Sequence, residues 1–335
     1  MALDTNDLAD LMNQEAYPVM FEAYGAIEQV RTQVANQVHD VTPDLYHGTK
    51  GTVIGGVGRP QKIEHGQEIP VDQIAKAHVW YMKTRKWGSG IDITREEMEA
   101  TNAAGKVGDL ITNFAAQWGR QFGLMKEERA ARMFLLGTLT AGNQDLFDGS
   151  HLDETDPYPT LIYDNQPWFD AAHADNVAAT TYSNIDAGNA LTEANLQTAI
   201  TTLNHTNARD YRNARMVQRA DVLLVPTQLE YTAQVLLNSE HKPGSANNDI
   251  NTVRGRLRPV VWDFLGDTDI GGDTDCWYIG DTGAQHGFEI WDSGAPTLEL
   301  IYIPQTQTHR ITVVTYYGQT ITDWRPWYSA AKAIA

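Results

Sequence analysis

Three stretches hold residue types that could perform chemistry. Asp148-Gly149-Ser150-His151-Leu152-Asp153 sets carboxylate, hydroxyl and imidazole side by side, the ingredients of a nucleophilic triad. A triad is assembled in space, however, and the G-x-S-x-G elbow that exposes a serine nucleophile is absent. A turn in which Asp and Gly supply unusual backbone angles and Ser caps accounts for the same residues. Gly55-Gly56-Val57-Gly58 follows an apolar run, as a nucleotide-binding loop does. Phosphate binding requires a helix directly afterwards, and here Arg59-Pro60-Gln61-Lys62 opens more extended chain. The third stretch is Asp263, Asp267, Asp269, Asp273, Asp275 and Asp281. Aligned to a calcium-binding EF-hand loop from Asp267, it has Gly271 at the fifth position and Tyr278 at the twelfth, where a bidentate Glu is required. A solvated loop with Gly271-Gly272 at its tip fits these residues better.

The remaining chemistry-bearing residues are scattered. None of the ten histidines forms an H-E-x-x-H pair. Cys276 is the only cysteine, which excludes an intramolecular disulfide and a thiolate metal cluster. The nine tryptophans read as core or interface anchors. The sequence therefore predicts no catalytic, cofactor-binding or metal-ligating residue. A second reading, a soluble acidic hydrolase using Ser150 or the Asp-rich loop, stands as an alternative.

Composition is that of a folded protein, 42% hydrophobic and 20% charged. No run approaches the roughly 18 apolar residues that cross a bilayer, and the first residues lack the basic-then-apolar order of a secretory signal, so cytoplasmic synthesis and no membrane partner are expected. The net charge of −18 argues against general nucleic-acid binding. Charge is unevenly placed: Lys50 to Lys86 holds seven basic and three acidic residues on an otherwise acidic chain. Self-association through complementary charge has this appearance, and so does local scatter.

The elements that would position these residues begin with an arm. Residues 4 to 40 read as two helical pieces parted near Tyr17-Pro18, the second striped by Phe21, Tyr24, Ile27, Val30, Val34 and Val38. The same chain or a neighbour must cover that stripe. From Thr52 to Ile93, glycine, β-branched residues and alternation predict a long extended hairpin with too little core to stand alone. Thr94-Arg95-Glu96-Glu97 is a capping box. Behind it Val107, Leu110, Ile111, Phe114, Trp118, Phe122, Met125, Met133 and Leu136 form one stripe of a helix running to about Leu139. From Val107 to Gly137 it would span roughly 45 Å at about 1.5 Å per residue, a strut on which other elements hang. Asn143 to Asn189 reads as a polar surface excursion. Thr192 caps a helix carrying Leu196, Ile200 and Leu203. Ala220–Val225 is a buried strand, and Leu229, Ala233, Leu236 and Leu237 mark a helix ending near Asn238-Ser239. Strands follow at Arg258–Asp263, Cys276–Gly280, Phe288–Trp291, Leu298–Ile303, Ile311–Tyr317 and Thr320–Trp324. The mixture lacks βαβ regularity, so the fold class is α+β.

The order of elements resembles the Hong Kong 97-like major capsid protein of tailed bacteriophages. Three segments carry the resemblance: Ala220-Asp221-Val222-Leu223-Leu224-Val225-Pro226-Thr227-Gln228-Leu229-Glu230; Arg256–Trp262 with Asp275–Asp281; and His309–Val313 through Tyr317-Gly318 to Asp323-Trp324-Arg325-Pro326. It implies an N-terminal arm (1–48), an extended hairpin (49–93), a peripheral domain with the spine helix and surface excursion (94–189), and an axial domain (190–295). Return strands of the peripheral domain (296–318) and a C-terminal return to the axial domain (319–335) complete the set. The implied protein is a virion component, assembled in the host cytoplasm, whose hexamers and pentamers close an icosahedral shell around double-stranded DNA without gripping it. Arg59, Lys62, Lys83, Arg85 and Lys86 are the hairpin residues expected at the subunit interface. A separate scaffolding protein is implied because the chain starts at Met1 and reaches the hairpin by about residue 50; a portal and a decoration protein are further expected partners. Some members cross-link a hairpin lysine to an asparagine. Lys62 and Asn251 are of those types, but no bond is predicted from type alone. An encapsulin-like compartment, which resembles the same fold, is the first alternative. The spine stripe is expected to pack against Leu298–Ile303 and Ile311–Tyr317.

Overall fold

Thr94 starts a helix as its sequence predicts: its hydroxyl accepts from the Glu97 N–H at 3.2 Å, and Glu97 Oε2 accepts from the Thr94 N–H at 2.9 Å. In the computed structural model, residues 12–41, 49–55, 60–71, 76–82, 84–103, 107–139, 162–174, 180–186, 188–242 and 249–330 are described. Gly56-Val57-Gly58 and the Asp148–Asp153 cluster lie outside them. The helices are α1 (Tyr17–Gly25), α2 (Val30–Val34), α3 (Arg95–Ala103), the spine α4 (Val107–Leu135), α5 (Glu193–Thr201) and α6 (Glu230–Asn238). The strands are β1 (Gln37–Asp40), β2 (Thr49–Ile54), β3 (Lys76–Met82), β4 (Arg85–Thr94), β5 (His173–Ala174), β6 (Thr181–Tyr182), β7 (Val222–Val225), β8 (Arg258–Val261), β9 (Tyr278–Gly280), β10 (Phe288–Asp292), β11 (Thr297–Ile303), β12 (Thr308–Ile321) and β13 (Trp327–Ser329).

The long strand β12 organises the larger sheet. Along one side it pairs antiparallel with β4; along the other it pairs with β11 through Val314 and then with β10 from Tyr317. β10 and β11 are thus two halves of one strand, broken at Ser293-Gly294-Ala295-Pro296, where Gly294 has φ +80°. Thr320 and Ile321 continue β12, so the separate strand expected at Thr320–Trp324 does not form. β1 adds to β10 in parallel. Val38, expected on the helical arm, is therefore in a strand: β10 offers an open edge that satisfies backbone groups Val38 would otherwise expose.

A second sheet has the order β13-β9-β7-β8, with β7 and β8 parallel. Val222 and Leu224 face one core while Leu223 and Val225 face another beneath α5 and α6. Burial on both faces explains the unbroken apolar run. Thr192 caps α5 by accepting from the Asn195 N–H, and α6 buries Ala233, Leu236 and Leu237.

The spine joins the two sheets. Ile111, Ala115, Trp118 and Phe122 pack with Ile311 and Val313 of β12 and with Leu298 and Leu300 of β11, the contact expected from the stripe. Its last turns go further, and Phe134 lies among Trp168, Tyr278, Phe288 and Trp327, with ring centroids 4.8–5.4 Å away. Two further placements differ from expectation. β10, within the segment assigned to the axial domain by a boundary at 295, is hydrogen-bonded into the large sheet. Ile162, Trp168 and Phe169, assigned to a surface excursion, are core residues, because a Trp-Phe pair contributes far more apolar area than the polar stretch around it suggests.

Candidate subunit-contact surface

β2 and β3 form an antiparallel hairpin from Thr49↔Met82 to Ile54↔Lys76. Its root is fastened to the body. His78 Nε2 donates to the Thr322 carbonyl at 2.7 Å, its ring stacks on Tyr163 at 3.6 Å, and Trp80 leans on Trp291 at 5.5 Å. Trp80 also lies over Gly51, where any Cβ would collide with the indole. Burial lowers the His78 pKa, with Asp323 opposing and Arg325 and His286 reinforcing the shift. The neutral ring leaves Nδ1 buried and without a hydrogen-bond partner among the described residues.

Beyond the root the hairpin has no cover from its own chain among the described residues. Pro60 to Val71 is exposed throughout, with Ile69 at 71% and Val71 at 90%. Lys62 is on this exposed segment, 3.9 Å from Glu64. Arg85 and Lys86 are not on the hairpin: they open β4 and pair with Tyr317 and Tyr316 in the large sheet. The hairpin is shorter than predicted because β4 finds ladder partners along β12 over its whole length. Arg59 and Lys83 lie outside the described residues. The structure thus separates Lys62 from Arg85 and Lys86, which sequence proximity had grouped.

The body that carries the hairpin is locked by a buried ionic network absent from the sequence reading. Arg31 of α2 bonds Glu127 Oε1 at 2.5 Å and Asp292 Oδ2 at 3.1 Å. Lys126 bonds Asp292 Oδ1 at 2.5 Å, the Gly294 carbonyl at 2.6 Å and the Tyr24 hydroxyl at 3.3 Å. Two cations thus meet two carboxylates where arm, spine and β10 converge. Burial opposes the Arg31 charge, but Tyr24, Glu127 and Asp292 outweigh it and raise the pKa. Burial lowers the Lys126 pKa against Asp292, and burial pushes the Tyr24 hydroxyl to about 12. Spacing offered one signal, since Lys126 stands four residues after Phe122, where the stripe calls for an apolar side chain.

A second missed signal lies in the spine glycines. A Cβ at Gly119 would collide with the Met20 carbonyl, and one at Gly123 would stand 3.0 Å from Ile27. Two glycines four residues apart make a flat strip, and the arm lies in it with Met20, Ala23 and Tyr24 buried. The same chain therefore covers this face of the arm, while Phe21 of the expected stripe is 47% exposed.

The aspartate tract serves backbone turns. Asp267 accepts from the Asp269 N–H, Asp273 from the Asp275 N–H, Asp281 from Arg219 and Gly283, and Asp263 from the Thr227 hydroxyl. Asn251 is buried; its Nδ2 donates to the Leu236 and Ser239 carbonyls and its Oδ1 accepts from Val253. Its amide holds the end of α6 and is far from an idle acceptor for Lys62. His173 is enclosed between Asp164 at 2.7 Å and Asn184 at 3.0 Å and stacks on Trp324, anchoring the Trp168-Phe169 segment. Cys276 is buried, which pushes its thiol up to about 12. Among the described residues no helix is long and apolar enough to cross a membrane.

A spine helix bridging two sheets, with a hairpin projecting from their junction, is the Hong Kong 97-like capsid fold. The capsid structure of the cyanophage P-SCSP1u is similar at a TM-score of 0.51 and 10% identity, over 89% of this chain and 86% of that one. Structures from Mycobacterium phage Adephagia (0.49, 11% identity, 91% and 90% covered) and Mycobacterium phage Cain (0.48, 14% identity, 100% of both) are also similar. No curated protein matches the sequence. The profile of the phage capsid protein family matches residues 81–330, three quarters of the chain, and the chain belongs to that family. It is a structural protein of the phage shell, a major capsid protein located in the virion. The family match favours the phage shell over the compartment and hydrolase alternatives.

Proposed function

We propose that the hairpin β2–β3 reaches over the adjacent subunit and so ties the hexamers and pentamers of an icosahedral shell enclosing double-stranded DNA. One observation carries this reading: Pro60–Val71 is exposed end to end, including Ile63, Ile69 and Val71, while its root is bonded firmly to the body. A segment with that much apolar surface and no cover from its own chain among the described residues is stabilised by a surface supplied by another copy. Arg59, Lys62, Lys83, Arg85 and Lys86 then belong to the approach between subunits, with Lys62 nearest the reaching end. The division into arm (1–48), hairpin (49–93), peripheral (94–189 and 296–318) and axial (190–295 and 319–335) regions belongs to the same reading, with β4 and β10 moved to the peripheral sheet. So do a separate scaffolding protein, a portal, a decoration protein and assembly in the host cytoplasm. The protein has no catalytic role in this scheme.

The test is electron microscopy of the protein purified with its assembly partners. Ile69→Asp with Val71→Asp, which touch nothing in the subunit's own core, should leave a folded subunit that no longer closes shells. Uniform closed particles from that variant would overturn the hairpin reading.

A further inference from the structure

The second sheet has opposite charges at its two ends. The loop that feeds β7, residues 207–219, contains Arg209, Arg212, Arg215 and Arg219 against Asp210; Arg258, Asp221 and Asp281 lie at the same end, with Asp281 accepting from the Arg219 N–H, and the end stays net basic. At the other end, the loop between β8 and β9 contains Asp263, Asp267, Asp269, Asp273 and Asp275, and no Lys or Arg occurs between Arg258 and Arg310. Topology fixes the separation. β7 and β8 are parallel, so the chain entering β7 and the chain leaving β8 lie at opposite ends, and β9, antiparallel to β7, starts at the acidic end. Four residues of strand at ~3.3 Å each place about 13 Å between the two ends before the loops are added.

Each end joins its charges to exposed apolar surface. Arg215 and Arg219 are exposed beside Met216 and Val217, the latter 98% exposed. At the acidic end Asp263, Asp267, Asp269 and Asp275 are exposed, and α6 begins there with Tyr231 at 83% exposure. The arginine loop is also held in shape: Asp210 Oδ1 accepts from the Arg212 and Ala214 N–H groups at 2.9 and 2.7 Å, Tyr182 donates to Asn213, and Gln218 donates to the Arg325 carbonyl. A preformed loop loses little freedom on binding. Guanidinium forks suit carboxylates, and an apolar centre with a charged rim is the anatomy of a protein interface.

We propose that the arginine loop 207–219 of one subunit docks on the Asp263–Asp275 loop and Tyr231 of a second copy. A contact that joins two different patches of the same chain is head-to-tail, and it closes a ring when the rotation between copies divides a full turn. This inference rests on assembly of the chain into a shell and is independent of the hairpin.

The experiment is a charge swap in the full chain, read by shell formation under conditions where wild type assembles, with thermal melting as the control for folding. Arg215→Glu with Arg219→Glu should abolish shells, Asp267→Arg with Asp269→Arg should do the same, and the four changes together should restore them. Normal shells from either pair alone, or failure of the folded fourfold variant to recover, overturns the proposal. Intact empty shells that lose their DNA would overturn it too, assigning the loop to phosphate. Should the reversal fail to fold, Arg215→Gln with Arg219→Gln should flatten the salt dependence of assembly, and an unchanged dependence overturns the contact. Loss of shells in the Ile69→Asp, Val71→Asp variant tests the hairpin alone and leaves this inference standing.

Discussion

Lys126 is a cation with no access to water, and its three donors are all used on Asp292, Gly294 and Tyr24. Removing one member of such a network strands another charge in the core, which costs about 3–5 kcal/mol. Glu127→Ala should accordingly lower subunit stability by that amount in urea unfolding, and Arg31→Met combined with Glu127→Met should recover part of the loss by removing both charges. The same scale governs His78. Its folded pKa lies below the unfolded value of ~6.5, so the unfolded chain binds the proton more readily. The stabilisation from neutral His78 is complete above that value and is lost as pH falls below it. Protonation would set a buried N–H without an acceptor beside Arg325. Between about pH 7.5 and 5.5, either side of that reference, hydrogen exchange of β3 should accelerate in the wild type. In His78→Gln, which keeps a donor for Thr322, most of that acceleration should disappear. Equal pH dependence in both proteins would show that other groups govern the root.

At the scale of elements, the arm and the spine are fitted through Gly119 and Gly123. In a solitary helix Gly→Ala stabilises by roughly 0.5–1 kcal/mol. Gly119→Ala should instead destabilise, because its Cβ would meet the Met20 carbonyl backbone rather than a movable side chain. Limited proteolysis reads this directly: cleavage within residues 12–29 should appear in the variant while the spine stays intact. A more stable, equally resistant variant would mean that the arm does not depend on that strip. The break between β10 and β11 is the other element-scale device. It lets one strand of the pair reach β1 and the other face β4 across β12, and it presents the Gly294 carbonyl to Lys126.

For the whole molecule, rigid and exposed parts are clearly divided. Two sheets share Phe134 and its aromatic neighbours, so they are fixed to one another through the spine. The surfaces proposed to meet other subunits, the hairpin from Pro60 to Val71 and the charged ends of the second sheet, lie outside that core. Assembly should therefore be sensitive to changes that leave melting temperature unaltered. Sedimentation of Ile69→Asp, Val71→Asp and of either charge-reversed pair alone, each melting as wild type, should give slow subunits in place of shells.

Sequence by itself determined the elements whose causes are local. The Thr94 capping box, the Thr192 cap, the apolar run Val222–Val225 and the stripe from Ile111 to Phe122 each require only spacing and residue type, and each appears where its spacing puts it. The order of those elements was also sufficient to resemble the capsid family. Tertiary structure alone decided what depends on partners distant in the chain: that Val38 joins a strand, that Arg85 and Lys86 leave the hairpin for β12, and that Trp168-Phe169 is core. It also decided that Arg31, Lys126, Glu127 and Asp292 neutralise one another. Backbone edges and buried charges are satisfied by whichever groups the fold brings near, and 261 residues of chain separate Arg31 from Asp292. The two charged loops illustrate both halves. Their composition is plain in the sequence, but only the parallel pairing of β7 and β8 puts them at opposite ends of one sheet.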